Sequence, residues 1–359
     1  MNIHVLDQQF NLIGIVDEYV SLIWRPAYYD IGDFELHLNA RAETFRLLKK
    51  NYYLVRELDI EVDEYGNVTY SNVMIIKNFN ITTDAEGGDF LTVTGRELKF
   101  LLNQRIVWKQ TNLTGTAEDA IRRLVNENAI QPTDANRIIP TLALGVSAGL
   151  TDSIDKQVTG DRLDQAIVDI CTTYNYGWEI FIYNKALILV VYKGVDRSFN
   201  QSERPYVVFS EDFDNILNSS YESNSESYAN TALIGGEGEG LDRIYTAVGS
   251  DNYGLGRYET FTDARDLSQN KDSETDAIPI NDYIKLLQER GREDLAVRRV
   301  TEGFSGEVLD VNFKYGTDYY LGDTVTIINK YGITKDVIVL SAIESKDDTG
   351  AKVIPQFNI

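Results

Sequence analysis

Phe34, Leu36 and Leu38 alternate with Glu35 and His37, the period of a strand with one buried face and His37 on the wet side. Ile3–Leu6 and Leu12–Val16 flank the polar Asp7-Gln8-Gln9, a hairpin pattern. Tyr53–Leu58 and Asn72–Ile81 read as a further strand pair across the turn-rich Asp63-Glu64-Tyr65-Gly66-Asn67. Phe90–Thr94 alternates again after a turn at Asp84–Gly88, until Gly95 ends it, and a helix is expected at Ala42–Lys50. Short strands in close succession, each closed by turn residues, restrict this part of the chain to a small barrel or sandwich.

After Asn112 the period lengthens. Thr116 and Asp119 form a capping-box pattern, and Ala117, Ala120, Ile121, Leu124 and Val125 then share a helical face. A second helix near Asp161 carries Leu163, Ala166, Ile167, Ile170, Cys171 and Tyr174 on its apolar stripe, and the hairpin Gly177–Ile182 with Ala186–Tyr192 follows. Residues 1–111 are therefore expected to form a first barrel-like domain that 206–235 could complete, with 112–205 as an α/β insertion. Strands return at Val207–Phe209, Ile216–Tyr221 and Ala229–Gly235. Residues 236–277 read as polar loops and strand fragments, and a helix is expected at Pro279–Arg299, with Gly291 as a potential break. Gly306–Lys314, Asp323–Asn329, Thr334–Lys346 and Ala351–Phe357 complete a second barrel-like domain over 206–359.

The residues that carry chemistry in enzymes are sparse. His4 and His37 are the only histidines, and neither sits in a metal-binding spacing. Cys171, the single cysteine, excludes an internal disulfide and lies on a core stripe. Gly235–Gly240 is glycine-rich but lacks the Lys-Ser/Thr of a phosphate loop, and its glutamates would oppose a phosphate. The adjacent acids Asp63/Glu64, Glu211/Asp212 and Asp347/Asp348 read as solvated turn charge, and Asp30/Asp33 and Asp272–Asp276 lack the spacing of a calcium loop. No catalytic, cofactor or metal residue is expected. The balance of 34 basic against 56 acidic residues, −22, disfavours sequence-specific nucleic-acid binding. The N-terminus lacks signal-peptide character and no long apolar run occurs, so no membrane insertion is expected.

Two blocks carry a family resemblance. One is Ser21-Leu22-Ile23-Trp24-Arg25-Pro26-Ala27-Tyr28-Tyr29-Asp30-Ile31-Gly32-Asp33-Phe34-Glu35-Leu36. The other is Tyr315-Gly316-Thr317-Asp318-Tyr319-Tyr320-Leu321-Gly322-Asp323-Thr324-Val325-Thr326-Ile327. With Gly95-Arg96-Glu97-Leu98 and Gln104-Arg105-Ile106 between them, the chain resembles the siphovirus tail-hub family, which also forms the N-terminal part of tail-associated lysins. The resemblance implies a β-rich α+β fold, phage baseplate-hub-like, with two tube-forming barrel-like domains and α/β insertions. It implies a homotrimer at the tail tip of a virion, made in the host cytoplasm. Its partners would be the distal tail ring, the tape-measure terminus and a tip or fibre protein, with DNA only in transit. Trp24, Gly32, Asp33, Phe34, Gly95, Arg96, Gly322 and Asp323 are then motif residues of architecture, not of catalysis. The chain closes soon after its last expected strand, so lytic activity is expected on another polypeptide. A hydrolase using two carboxylates and a host-glycan-binding module are the competing readings.

Overall fold

The computed structural model describes residues 1–84, 88–249, 251, 253–270, 277–309, 312–348 and 350–358. The first part of the chain forms β1 (Ile3–Leu6), β2 (Leu12–Val16), β3 (Ser21–Arg25), β4 (Asp33–Asn39), α1 (Ala42–Leu47), β5 (Tyr53–Arg56), β6 (Ile60–Val62), β7 (Val68–Tyr70), β8 (Met74–Asp84) and β9 (Gly88–Glu97). Then come β10 (Thr111–Thr116), α2 (Ala117–Val125), β11 (Leu142–Leu144), β12 (Ser153–Val158), α3 (Leu163–Tyr174), β13 (Gly177–Tyr183) and β14 (Ala186–Tyr192). The last part holds β15 (Val208–Ser210), β16 (Ile216–Asn224), β17 (Thr231–Gly235), β18 (Tyr245–Gly249), β19 (Glu259–Asp263), α4 (Ile280–Val297), β20 (Thr301–Val308), β21 (Thr324–Ile328), β22 (Thr334–Asp347) and β23 (Gly350–Asn358).

One sheet runs through both ends of the chain in the order β16-β20-β23-β22-β3-β4-β9-β8-β5-β1-β2, with β21 also on β22 and β15 on β21. The long β22 makes the join: its first half pairs β21 (Val337 opposite Val325) and its second half pairs β3 (Glu344 opposite Trp24). On one side of the join Ile3, Leu22, Trp24, Phe34, Leu36 and Val93 fill the first barrel. On the other, Phe209, Ile216, Tyr319, Val325, Ile327 and Phe357 fill the second.

The wall of the first barrel is buried on both faces. Along β5, Leu54 points into the barrel while Tyr53 and Val55 point into the core of the insertion. Met74 and Ile76 divide from Val73 and Ile75 in the same way. The insertion supplies Val125, Ile167, Cys171, Trp178 and Leu189 to that second core. Strands buried on both sides are apolar without interruption, which accounts for Tyr53-Leu54-Val55 and Val73-Met74-Ile75-Ile76. The expected cap is present on α2, where the Asp119 backbone N–H donates to the Thr116 hydroxyl at 3.1 Å.

Several expectations change. Residues 206–235 do not complete the first barrel: β15 pairs β21, β16 pairs β20, and β17 centres a separate sheet with β18 and β19. The central strand of that sheet matches the expected Ala229–Gly235, while β18 and β19 lie within the stretch read as polar loops and strand fragments. The Asp63–Asn67 turn joins β6 to β7, not β5 to β8, and this small hairpin extends the insertion's sheet through Tyr70 opposite Ile182. Gly291 does not break α4; a Cβ there would lie 2.6 Å from Ile234, so it lets the helix approach β17 closely. The strand expected at Gly306–Lys314 is Thr301–Val308. The expected turn at Asp84–Gly88 and the pair Asp272–Asp276 fall largely or wholly outside the described residues.

Candidate functional site

Tyr28 brings the distant sequence blocks together. Its backbone N–H donates to the Leu340 carbonyl at 2.7 Å, beside the β22 join. Its hydroxyl donates to the Asn175 carbonyl (2.9 Å) at the end of α3 and accepts from the Gly194 N–H (3.1 Å). Its ring occupies the space where side chains at Gly177 and Gly322 would stand; a Cβ at either would lie 2.3 and 2.2 Å, respectively, from Tyr28 ring carbons. Burial pushes the Tyr28 hydroxyl up to about 12, so it stays a neutral donor and acceptor. First barrel, insertion and second barrel thus meet on one side chain.

Gly322 adopts φ +86°, open to glycine at no steric cost, and a Cβ on Gly194 would lie 2.0 Å from the Gly322 carbonyl. Asp323 then fastens the strand leaving the insertion. Its carboxylate accepts from the Val195 N–H (2.9 Å), the Arg197 Nε (2.7 Å) and the Tyr320 N–H (3.0 Å). The group is buried, so these charge-assisted bonds replace its water.

The N-terminal block is anchored by charge as well as by packing. Trp24 is fully buried against Phe34, with the Arg56 guanidinium 5.3 Å from its ring centroid. Gly95 sits at a bulge between β8 and β9, where a Cβ would lie 1.8 Å from the Ile75 carbonyl oxygen and 2.7 Å from Phe34. A Cβ on Gly32 would meet the Arg25 carbonyl at 2.1 Å, and the Gly32 N–H donates to Glu97 at 2.8 Å. Burial raises the Glu97 pKa, and Lys99 opposes that rise from 3.1 Å. Lys99 also donates to the carbonyls of Ala27 and Asp30, each at 2.6 Å, and so ties the β3–β4 loop to the end of β9. Asp33 forms a forked pair with Arg25 (3.0 and 2.5 Å), with Arg96 3.5 Å away, at a half-exposed rim.

Beside the join, Arg56, Asp59, Glu179, Tyr192, Tyr315 and Glu344 surround a cavity of about 400 Å³. Burial alone would lower the Arg56 pKa, but Asp59 and Glu344 outweigh it and hold it above its ordinary value. Arg56 reaches Asp59 at 2.5 Å and Glu344 at 2.7 Å. Glu179 accepts from the Asn72 backbone, and burial, with Glu97 adding to it, raises its carboxyl to about 7. A hydrolytic pair would need two carboxylates with separate tasks, and Asp59 and Glu344 are both committed to Arg56. Of the acids noted from sequence, Asp30 caps the Ile31 N–H (2.7 Å) and Asp63 closes its own turn on Tyr65 and Asn67. Glu211 bonds Ser219. Among the described residues no group of three or more His, Cys, Asp or Glu is placed to hold a metal ion.

The structure therefore gathers Trp24, Gly32, Phe34, Gly95, Gly322 and Asp323 around the join, while Arg96 remains on its rim. Arg56, Lys99 and Glu179 were not singled out from sequence. Lys99 lies just after Gly95-Arg96-Glu97-Leu98, but nothing in its local spacing marks it.

A family profile described as siphovirus ReqiPepy6 Gp37-like protein matches residues 2–357. The chain belongs to that family. Among the Gp37-like protein's solved relatives in fold is a prophage MuSo2 43 kDa tail protein from Shewanella oneidensis, at TM-score 0.59 and 12% identity, covering 99% of this chain and 98% of that one. A tail protein from Neisseria meningitidis MC58 matches at 0.56 and 13%, covering 99% and 96%. Prophage tail protein gp18 from Listeria monocytogenes EGD-e matches at 0.50 and 13%, covering 99% and 94%. No curated protein matches. The chain therefore shares the β-rich fold of these phage tail proteins. Among the described residues no helix is long and apolar enough to cross a membrane.

Proposed function

We propose that this Gp37-like protein is the hub at the distal end of a siphovirus-type tail, acting as a scaffold and not as an enzyme. The observation that carries the reading is the join: two barrel cores share one sheet through β22, and Tyr28 and Asp323 lock their spacing. In this reading 1–111 and 206–359 each contribute a tube-forming barrel, and 112–205 is the insertion of the first. Two rigidly spaced barrels per subunit let three subunits present six similar surfaces around a channel, by heterologous contacts that close under rotation. Such a ring meets a sixfold tail on one side and a threefold tip or fibre on the other. It would also hold the tape-measure terminus and open for DNA, and the excess of acid over base would line the channel so that phosphate slides without adhering.

Cryo-electron microscopy of an assembled tail tests this directly. Three copies at the distal end, each giving two barrels to one ring with acidic side chains inward, is the expected result. Copies along the shaft, or a ring of six chains, overturn the hub, and acids clustered on the outer wall overturn the channel lining. Cell-wall polysaccharide turned over by the purified protein and abolished by Glu179→Gln would replace the scaffold reading with a hydrolase.

A further inference from the structure

A cleft between the first barrel and its insertion reverses the charge balance of the chain. It measures about 600 Å³, and its lining includes Lys77, Arg105 and Lys185 but, among the described residues, no carboxylate. Each cation is met there by a neutral group. Lys77 donates to the Asn51 side-chain carbonyl (2.9 Å) and Lys185 to that of Asn11 (2.6 Å), while Arg105 Nε donates to the Arg137 backbone carbonyl (2.5 Å). Asp7, near enough to Lys185 to be influenced by it, is held by the N–H groups of Gln9 and Asn11 and by the Asn11 amide. Below the cations the floor is apolar, with Phe10, Tyr53, Ile75 and Leu187.

Backbone strain gathers at the same place. Phe10 has φ 60° and Thr141 φ 63°, both in the left-handed region that bulky and β-branched residues rarely occupy. Both line the cleft. Strain of this kind costs about 1–3 kcal/mol per residue and persists where packing forces it, often at ligand clamps.

We propose that this cleft docks an acidic polypeptide segment of a neighbouring tail protein, its carboxylates meeting Lys77 and Lys185 and its aliphatic side chains the floor. The choice of a tail protein as occupant rests on the tail-scaffold reading, while binding of an acidic peptide by the purified chain is tested apart from it. A nucleic acid or polyphosphate would bring dense charge towards a chain of net −22, whereas a few carboxylates spaced by aliphatic side chains match both lip and floor.

The test is fluorescence anisotropy of the full-length protein with a fluorescein-labelled peptide of alternating glutamate and leucine. Its glutamine counterpart and inorganic polyphosphate serve as competitors. Saturable, salt-sensitive binding is expected, weakened about tenfold or more by Lys77→Gln with Lys185→Gln and restored by the paired Lys→Arg changes. A circular-dichroism melt matching the parent shows that the glutamine variant remains folded. Absence of binding overturns the proposal, as does equal binding of the glutamine peptide or affinity indifferent to both lysines. Displacement by polyphosphate in preference to the acidic peptide assigns the cleft to a polyanion and overturns the peptide occupant.

Discussion

The two halves of the molecule interrupt a barrel with an α/β unit in the same manner, yet they attach that unit differently. In the first half the barrel wall and the insertion share one core, with Leu6, Tyr53 and Ile75 from the wall packed among Ile121, Ile167 and Trp178. In the second half α4 and β17 keep a small core of their own, built on Ile234, Tyr283, Leu286 and Leu287, distinct from the barrel core around Phe209. The second unit leans instead on the first insertion, through polar contacts. Lys156 pairs with Glu293, the Tyr174 hydroxyl donates to Glu289 (2.6 Å), and Gln157 exchanges bonds with the Ser268 backbone (3.0 and 3.3 Å). A shared apolar core resists opening, while a unit held by its own small core and a polar seam can open locally. On that ground the first half is expected to behave as the rigid frame and the second unit as the part that opens first.

Matched truncations break this comparison most sharply. Ile167→Ala and Leu287→Ala each empty a fully buried site and should each cost about 2–5 kcal/mol. The first loss should appear in the global denaturant midpoint. The second should appear mainly as faster hydrogen exchange confined to residues 231–297, with a smaller change in the midpoint. Equal global losses would show that both units are welded alike.

The sequence revealed these halves unequally, for a physical reason. At Phe34–Leu38 the strand faces water on one side, and its period is legible in the sequence. The unbroken runs Tyr53-Leu54-Val55 and Val73-Met74-Ile75-Ile76 signal burial on both faces, and they were the available clue to the shared wall. β18 and β19 are short and polar, so their stretch read only as loops and strand fragments, while β17 between them was expected as a strand. At the join, Gly32, Gly95 and Gly322 were visible as motif residues, though not the close backbone approaches that Gly32 and Gly95 permit. The contacts of Tyr28, Arg56 and Glu179 were not visible, because their partners lie far along the chain: Tyr28 meets Asn175 and Gly194, and Arg56 meets Glu344. Asp323 bonds Tyr320 within its own turn. Its bonds to Val195 and Arg197 are the long-range part that local spacing does not encode.

Glu179 sharpens the comparison through pH. It sits on β13 of the first insertion, facing the cavity shared with Tyr315 and Glu344 of the second half. Its carboxyl is raised from 4.5 to about 7 by burial, so the folded state holds a proton that the unfolded chain releases. The stabilisation is fully present below the unfolded pKa and is lost as pH rises through the folded one, between roughly pH 4.5 and 7. About 1–3 kcal/mol should disappear across that window on account of this group. Glu179→Gln should flatten that part of the stability-against-pH curve from chemical denaturation. A curve unchanged by the substitution would remove Glu179 as its source.

The smallest effect concerns the polar seam itself. Lys156 and Glu293 are largely buried at the contact of β12 with α4, so their attraction is less screened than that of a surface pair. Removing either alone leaves a charge without its partner, and the single substitutions therefore overstate the value of the bridge. A double-mutant cycle with Lys156→Met and Glu293→Gln isolates it, with an expected coupling of about 1 kcal/mol. The coupling should be read twice, from global unfolding and from hydrogen exchange in α4. A bridge that only docks the second unit contributes to exchange in α4 and little to global unfolding. If instead the full coupling appears in global unfolding, the seam belongs to the rigid frame, and the movable part of the second half must be sought beyond α4.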